Sequence, residues 1–142
     1  MLRSLSVMGW DGFTMKALII DSNERGPLPE AVLRRAMKKK PAVGVSREAL
    51  VIGDYLCGQW HLEAKTVSDF LESLRSGHLM RQLDNLDANA PQFGVVVWGE
   101  VGDYVKQVQL RGGSTNFSAA TKQIAGGLAR IAADFGCLVY RA

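Results

Sequence analysis

The sequence predicts an α/β domain with a mixed central sheet flanked by helices. Short apolar runs typical of strands alternate along the chain with segments whose apolar residues recur at helical spacing. In addition, the run FGVVVW at Phe93–Trp98 is apolar almost throughout, which is typical of a strand buried on both faces. With 142 residues the chain is long enough for one domain with a sizeable core.

The first half of the chain predicts a strand, a helix and a hairpin. Met15–Asp21 is an apolar run that ends in a carboxylate, and it predicts the first strand. A helix follows, because Pro29 suits a first turn and Pro41 cannot continue a helix. Its predicted apolar stripe consists of Val32, Leu33, Ala36 and Met37. Val43–Asp54 is expected to contain the next strand and Trp60–Lys65 the one after it, with Trp60 in the core.

The middle of the chain predicts two consecutive helices. Thr66 and Asp69 form a Thr-x-x-Asp signal for a helix start, and Ser76-Gly77 breaks this helix. A second helix follows with one apolar face. That face comprises Leu79, Met80, Leu83 and Leu86. The helix pair leads into the buried strand at Phe93–Trp98.

The last part of the chain predicts a long helix and a closing strand. Tyr104–Leu110 is interpreted as a short strand or an extended loop. From about Ser118 a helix runs to Gly136, and Gly126-Gly127 within it indicates close packing on the sheet. The apolar face of this helix comprises Phe117, Ile124, Leu128 and Ile131. Cys137–Tyr140 is the last predicted strand, at or near a sheet edge.

Composition excludes several classes of protein. The sequence has no run of about 18 apolar residues, so we expect no membrane span. Residues 1–14 lack the apolar segment of a signal peptide, and we expect them to be a flexible extension ahead of one domain at residues 15–142. Cys57 and Cys137 match no metal-binding spacing and indicate a reducing, intracellular compartment, the cytoplasm or a nucleus.

Basic residues are concentrated in the first predicted helix. The net charge of the chain is only +3. The concentrated residues are Arg34, Arg35, Lys38, Lys39 and Lys40. Such a cluster suits contacts with DNA phosphates, and the alternative is a solvated helix face.

Charged residues in the predicted hairpin form a candidate active site. Because strand side chains alternate between faces, Glu63 and Lys65 share one face while Leu62 and Ala64 occupy the other, in the core. Asp54, on the neighbouring strand, can reach the same place. Two carboxylates, the Ala64 carbonyl and water would offer the oxygen ligands that Mg²⁺ or Mn²⁺ prefers, and Lys65 could orient an attacking water. The pattern indicates metal-dependent phosphodiester hydrolysis.

These residues resemble those of a known nuclease family. Asp54, Glu63, Ala64 and Lys65 resemble the PD-(D/E)xK nuclease core. More narrowly, the chain is similar to XPF-type structure-specific endonuclease domains, whose pattern runs GD-x(n)-ERK-x(3)-D. The matching segments are Gly53-Asp54-Tyr55, Glu63-Ala64-Lys65 and Asp69. Upstream, Asp21-Ser22-Asn23-Glu24 resembles the family's D-x-R-E, and downstream Ser73-Leu74, Gly77, Leu79 and Gln82 resemble its S-L-x-x-G-R-L-x-x-Q segment.

The resemblance implies a restriction-endonuclease-like fold and an endonuclease for branched DNA, such as flaps, forks or junctions, in DNA repair or recombination. It implies that Asp54, Glu63 and the Ala64 carbonyl hold Mg²⁺ or Mn²⁺, with Lys65 positioning water. Asp21 and Glu24 would shape the acidic pocket or support a second ion. The residues expected to contact DNA are Arg25, Arg34, Arg35, Lys38 and Gln82, with Asp69 supporting the site.

Three positions depart from the family's pattern. The pattern has arginine at the positions of Asn23, Ala64 and His78. The loss of these arginines bears on how DNA phosphates are held more than on the metal chemistry. No helix-hairpin-helix module follows the last predicted strand, so we expect a homodimer or a separate DNA-binding partner. The alternative functions are a Holliday-junction-resolvase-like nuclease and a catalytically silent nuclease fold that binds DNA or acts as a scaffold.

Several site residues also have simple structural interpretations. Asp21 could start an Asx turn, and Glu24 could form a surface ion pair with Arg25. Asp69 could serve only in a capping box, and Gln82 could be merely exposed on its helix. The sequence leaves these alternatives open.

Overall fold

The computed structural model describes residues 17–39 and 43–142. The predicted extension at residues 1–14 lies outside the described residues, as do Met15, Lys16, Lys40 and Pro41. The described strands are β1 (Ala17–Asp21), β2 (Gly44–Glu48), β3 (Tyr55–Cys57), β4 (Trp60–Thr66), β5 (Gln92–Trp98) and β6 (Leu138–Arg141). The described helices are α1 (Pro27–Met37), α2 (Val67–Ser76), α3 (His78–Asn89), α4 (Val101–Leu110) and α5 (Phe117–Phe135).

The strands form one mixed sheet, in the order β2-β1-β3-β4-β5-β6. Strands β1 and β2 are parallel and joined through α1, whereas β3 runs antiparallel to both of its neighbours, β1 and β4. Strands β5 and β6 are parallel, and β6 lies at a sheet edge. The predicted fold class, an α/β domain with a mixed sheet, is therefore confirmed, and so is the expected edge position of the last strand.

Two compact units divide the chain, and the division passes through β4 and β5. The first contains the described residues up to Glu63 together with Asn89–Phe93, and its buried side chains include Ile20, Ala36 and Tyr55. The second contains Ala64–Ala88 and Gly94–Ala142. Fully buried side chains of the second unit include Phe70, Leu79, Leu83, Leu86, Val95, Val97 and Ile131. Within the described part of the chain, no helix is both long enough and apolar enough to span a membrane.

Helix ends in the second unit follow from local sequence. Thr66 Oγ1 accepts the backbone N–H of Asp69 at 3.1 Å, which satisfies one otherwise unpaired donor at the start of α2. Gly77 ends that helix in the left-handed region, with φ of 82°. Asn116 caps α5 in the same way through Ala119, so α5 begins at Phe117, one residue before the predicted start.

The prediction of a strand or extended loop at Tyr104–Leu110 is wrong, because Val101–Leu110 is the helix α4. Val101, Tyr104 and Val108 recur at helical spacing, but the valines and Gly102 have low helix propensity and suggested a strand. Packing of α4 on α2 and α5 decides the conformation, with Val101 and Tyr104 buried. Tertiary contacts here override the local preference.

Some apolar residues predicted to face the core are instead exposed. In α1 only Ala36 of the predicted stripe is buried, and Met37 has 70% of its surface exposed. Phe117 is 63% exposed and does not share the buried face of α5 with Ile124, Leu128 and Ile131. The predicted core position of Trp60 is also wrong, since its side chain is exposed.

The glycine pair in α5 packs closely, but against helix α2 and not against the sheet. A Cβ atom built on Gly127 would lie 2.7 Å from Leu74 Cδ2 and 3.1 Å from the Phe70 ring. A Cβ built on Gly126 would meet nothing within 4 Å. The two neighbouring glycines thus have different roles: Gly127 permits helix contact, and Gly126 has no steric reason to be glycine.

We therefore predict opposite effects for the two alanine substitutions. Gly126→Ala should raise the free energy of unfolding by up to about 1 kcal/mol, through the better helix propensity of alanine. Gly127→Ala gains the same propensity but forces its methyl group against the buried Phe70 ring, which should cost about 1–3 kcal/mol. Urea unfolding of both variants tests this. Equal stabilities would show that α2 and α5 are not in close contact at Gly127.

Candidate active site

The backbone of Asp54 brings two strands of the first unit together. Its N–H donates to the Leu62 carbonyl at 2.8 Å, and its carbonyl accepts the N–H of Asp21 at 2.8 Å. Gly53 precedes it with φ of 75°, a left-handed conformation that favours glycine, and a Cβ there would lie 3.4 Å from the Leu62 carbonyl oxygen. The GD pair thus links the carboxyl end of β1 to strand β4.

Glu63 lies beside Asp54 on the neighbouring strand. The β3–β4 register sets Tyr55 opposite Leu62, so Asp54 and Glu63 are each one residue further along this ladder. Only 7% of the surface of Glu63 is exposed, and among the described residues it is the one buried charged side chain. The predicted core residues Leu62 and Ala64 are only half-buried. Burial of a carboxylate requires compensating partners, as in an ion-binding or catalytic site.

Glu24 shows that carboxylates crowd together in this unit. Its pKa is raised from an ordinary 4.5 to about 7, first by burial and then by the negative charges of Asp54 and Asp21. The Tyr55 hydroxyl and the positive charge of Arg47 oppose this rise. Near neutral pH the Glu24 carboxyl is therefore only partly ionised, and a cation placed among these groups would favour its ionised form.

Tyr55, quoted in the sequence only as part of the GDY segment, belongs to this cluster. Its hydroxyl is buried and makes no hydrogen bond of normal geometry with the described residues. Glu24 lies close enough that each group shifts the pKa of the other, and burial with the nearby Glu24 charge raises that of Tyr55. The Tyr55 hydroxyl therefore keeps its proton beside an acidic group.

The carboxylate of Asp21 has a structural role. Its Oδ1 accepts the N–H of Leu50 at 2.8 Å, and its Oδ2 accepts the N–H of Asn23 at 3.3 Å. The second contact is the Asx-type turn that the sequence left open as an alternative. Asp21 holds two loops in place, and its charge still acts on Glu24.

Two arginines bind the backbone of the segment that carries Glu24. Arg25 donates to the carbonyls of Ser22 at 2.7 Å and of Glu24 at 3.1 Å, so its guanidinium binds carbonyl oxygens and not the Glu24 carboxylate. The guanidinium of Arg47 donates to the Glu24 carbonyl at 2.8 Å. Arg47 was not predicted as a site residue. Only the parallel pairing of β2 with β1, which sequence patterns do not specify, places it here.

The remaining predicted site residues lie in the second unit. Ala64 and Lys65 follow Glu63 in β4 and are half-buried. Asp69 is exposed and serves the helix cap of α2, whereas Gln82 is half-buried on α3, not merely exposed. The functional roles assigned to these four residues stay predictions.

The predicted DNA-contacting residues of helix α1 are accessible. Arg34, Arg35 and Lys38 are all exposed, as is Lys39. Lys40, the last residue of the predicted cluster, lies outside the described residues. A basic, exposed surface on α1 suits contact with a polyanion and also suits a solvated helix face, so the exposure alone leaves both interpretations open.

The donor groups of the cluster fit a hard divalent cation. The predicted ligands Asp54, Glu63 and the Ala64 carbonyl are oxygen donors, and the pKa of Glu24 is raised by burial and then by negative charge that a cation would offset. Within residues 17–39 and 43–142, no three side chains of His, Cys, Asp or Glu form a ready metal cluster. An ion held here would depend on two carboxylates, a backbone carbonyl and water.

Comparisons with known proteins agree with this architecture. The family model described as the ERCC4 domain matches residues 20–142. The solved structure of XPF from Aeropyrum pernix in complex with DNA is similar, with 25% sequence identity and a TM-score of 0.64, over 89% of this chain and 56% of that one. A second structure of XPF from Aeropyrum pernix has 24% identity and a TM-score of 0.63, over 88% of this chain and 52% of that one.

The match to these solved structures is partial in length. This chain covers little more than half of either XPF chain. A search of curated proteins found no match. The family model, in contrast, covers nearly the whole described chain and includes every predicted site residue. The chain therefore belongs to the ERCC4 domain family and has the fold of the XPF nuclease domain.

Proposed function

We propose that this chain is a divalent-metal-dependent DNA endonuclease that hydrolyses phosphodiester bonds in branched DNA. One observation carries the proposal: burial, and then the negative charges of Asp54 and Asp21, raise the pKa of Glu24 to about 7. Beside them lies Glu63, buried although charged. Carboxyl groups that are buried or have a strongly raised pKa are common in sites that bind a cation or perform acid–base chemistry.

DNA is the proposed substrate for two reasons. The ERCC4 domain family and the similarity to XPF in complex with DNA indicate a structure-specific DNA endonuclease. Helix α1 also presents an exposed basic surface, formed by Arg34, Arg35 and Lys38, that suits phosphate contacts. Flaps, forks and junctions are the proposed DNA structures.

The proposed mechanism uses the chain's own groups as follows. Asp54, Glu63 and the Ala64 carbonyl would hold Mg²⁺ or Mn²⁺, which supplies a Lewis acid for the scissile phosphate when bound. Lys65, two residues beyond Glu63 in β4, would orient the attacking water. Glu24 and Asp21 would maintain the negative potential that attracts the cation. In-line displacement would leave a 5′-phosphate and a 3′-hydroxyl.

The proposal extends to assembly and compartment. Edge strand β6 exposes Leu138 and Tyr140, and a partner on that edge would give a homodimer with two sites for one DNA structure. A separate DNA-binding protein is the alternative partner. Within the described residues Cys57 and Cys137 form no disulfide, in keeping with an intracellular location in the cytoplasm or a nucleus.

A catalytically silent DNA-binding subunit is the second candidate function, and one observation favours it. Both carboxylate oxygens of Asp21 accept backbone N–H groups, so this acid has a sufficient structural explanation. Asn23, Ala64 and His78 also lack the charge of the family pattern's arginines. Binding of branched DNA without cleavage in Mg²⁺ or Mn²⁺ would support this function over the endonuclease.

The first prediction concerns cleavage. Asp54→Asn and Glu63→Gln should each lower the rate on labelled flap, fork and junction DNAs by at least about 100-fold, because each removes a charged oxygen ligand at constant size. Lys65→Ala should lower the rate similarly while retaining metal binding. The matched control is Asp134→Asn, the same change at an exposed carboxylate paired with Arg130. Full activity of the Asp54/Glu63 double variant would exclude this site.

The second prediction concerns stability of the metal-free protein against pH. Because folding raises the pKa of Glu24 from 4.5 to about 7, its contribution to stability is complete below about pH 4.5 and is lost as pH rises through about 7. Glu24→Gln should remove this loss. The measurement is thermal unfolding in EDTA between pH 5 and pH 8, with wild type and variant compared at each pH.

Only the difference between the two proteins isolates Glu24. Burial lowers the pKa of His61, so its contribution is lost as pH falls below its ordinary 6.5, the opposite direction. Subtracting the two unfolding curves cancels this term. A difference that does not change with pH would mean that burial and the charges of Asp54 and Asp21 do not raise the pKa of Glu24.

The third prediction concerns DNA contacts. Replacing Arg34, Arg35 and Lys38 by glutamine should weaken binding to all sequences and reduce the slope of log affinity against log salt, by about 0.9 for each lost phosphate contact on duplex DNA. The matched control replaces Lys106, Lys122 and Arg130, exposed residues of α4 and α5, with the same change in charge. Equal slopes for the two triple variants would make the α1 cluster a solvated helix face.

A further inference from the structure

Arg47 occupies a special position in the first unit. It lies on β2, directly opposite Ile20 in the parallel register with β1, just where β1 approaches its carboxyl end. Its guanidinium donates to the carbonyl of Glu24 at 2.8 Å and approaches that of Asp21 at 3.4 Å. A single side chain therefore contacts both ends of the turn that follows β1.

The other hydrogen bonds of this turn hold Asp21 and Ser22 more than Glu24. Ser22 N–H donates to the Glu48 carbonyl at 3.0 Å, which extends the β1–β2 ladder by one residue. Glu24 N–H donates to the Asp21 carbonyl at 3.0 Å, which closes the turn on itself. Arg25 binds carbonyls within the same turn and adds no connection to another strand. The Arg47 guanidinium is a side-chain link from the Glu24 backbone to a neighbouring strand.

The charge of Arg47 matters as much as its hydrogen bonds. Glu24 has Asp54 and Asp21 near it, and their repulsion tends to move its carboxylate away from the cluster. Arg47 is the cation that acts on both Glu24 and Tyr55. A guanidinium bound to the carbonyl of Glu24 offsets this repulsion without neutralising a carboxylate by direct pairing.

We propose that Arg47 is a positioning residue, which holds the Asp21–Glu24 turn so that the Glu24 carboxylate stays beside Asp54. The proposal rests on the proposed function, because it assigns Arg47 to the site that would bind the cation. Arg47 acts through Glu24 and contacts neither cation nor DNA. Its loss should therefore have no effect in a protein that already lacks the Glu24 carboxylate.

A double-mutant cycle on cation binding tests this without any cleavage. Isothermal titration with Mn²⁺ in the absence of DNA would compare wild type, Arg47→Gln, Glu24→Gln and the double variant. We expect each single variant to bind Mn²⁺ about 10- to 100-fold more weakly, as for other residues that orient metal ligands. The double variant should bind no more weakly than Glu24→Gln alone. The matched control, Arg130→Gln, removes an exposed arginine of α5 and should bind like wild type.

Arg47→Lys separates positioning from simple loss of structure. Lysine keeps the charge and can donate to one carbonyl, so its Mn²⁺ affinity should lie between those of wild type and Arg47→Gln. If circular dichroism shows that Arg47→Gln is unfolded, the same cycle is measured with Arg47→Lys and Glu24→Gln. In cleavage assays, kcat should fall with the Mn²⁺ affinity while KM for DNA stays unchanged.

The outcomes distinguish this inference from the proposed function. If the losses of Mn²⁺ affinity caused by Arg47→Gln and Glu24→Gln are not additive and the protein cuts no DNA, the result would support the role of Arg47 and overturn the endonuclease. Two results in a protein that cuts DNA would overturn the role of Arg47 alone. In the first, Arg47→Gln binds Mn²⁺ as tightly as the control Arg130→Gln does. In the second, the losses of Mn²⁺ affinity in Arg47→Gln and Glu24→Gln add in the double variant. A wild-type protein that neither binds Mn²⁺ nor cuts DNA would overturn both.

Discussion

The two hydrogen bonds of the Asp54 backbone are the constraint on which the candidate site depends. One binds Asp54 to Leu62 in β4, and the other binds it to Asp21 at the end of β1. Both bonds use main-chain atoms of Asp54 and not its carboxylate. They also determine its neighbours: Glu63 follows Leu62, and Glu24 follows Asp21 within one turn. Gly53, in a left-handed conformation, lets the chain enter this position.

Repulsion among the acidic groups near Glu24 lowers the stability of the metal-free fold. Neighbouring groups in the structure reduce this loss of stability. Glu24 takes up a proton near neutral pH, and Arg47 places a positive charge beside it. Asp21 is stabilised by two backbone N–H groups that bind its carboxylate. The two acids are therefore tolerated by different means: Glu24 by partial protonation and a nearby guanidinium, and Asp21 by backbone donors. A pKa raised as far as that of Glu24 is common at functional sites.

The second unit is held together by means that are independent of this chemistry. Helix α2 begins at a Thr66 cap and packs its Phe70 and Leu74 against Gly127 of α5. Hydrogen bonds from Ser68 to Gln107 and from Arg75 to Tyr104 join α2 to α4. These contacts are apolar packing and neutral or exposed polar pairs. Substitutions there should act on stability, whereas those around Asp54 should act mainly on the site.

The sequence by itself determined the fold class and most strand and helix positions, because periodicity, caps and turn glycines are local signals. It also predicted that Asp54 lies close to Glu63, which the β3–β4 register confirms. It failed for α4, where packing on α2 and α5 overrides the strand preference of valine. Only the tertiary structure decided that Asp21 is held by backbone donors, that Glu24 is crowded and that Arg47 reaches the Asp21–Glu24 turn. These facts depend on which strands pair and in what register, and strand pairing between distant segments leaves no local pattern in a single sequence.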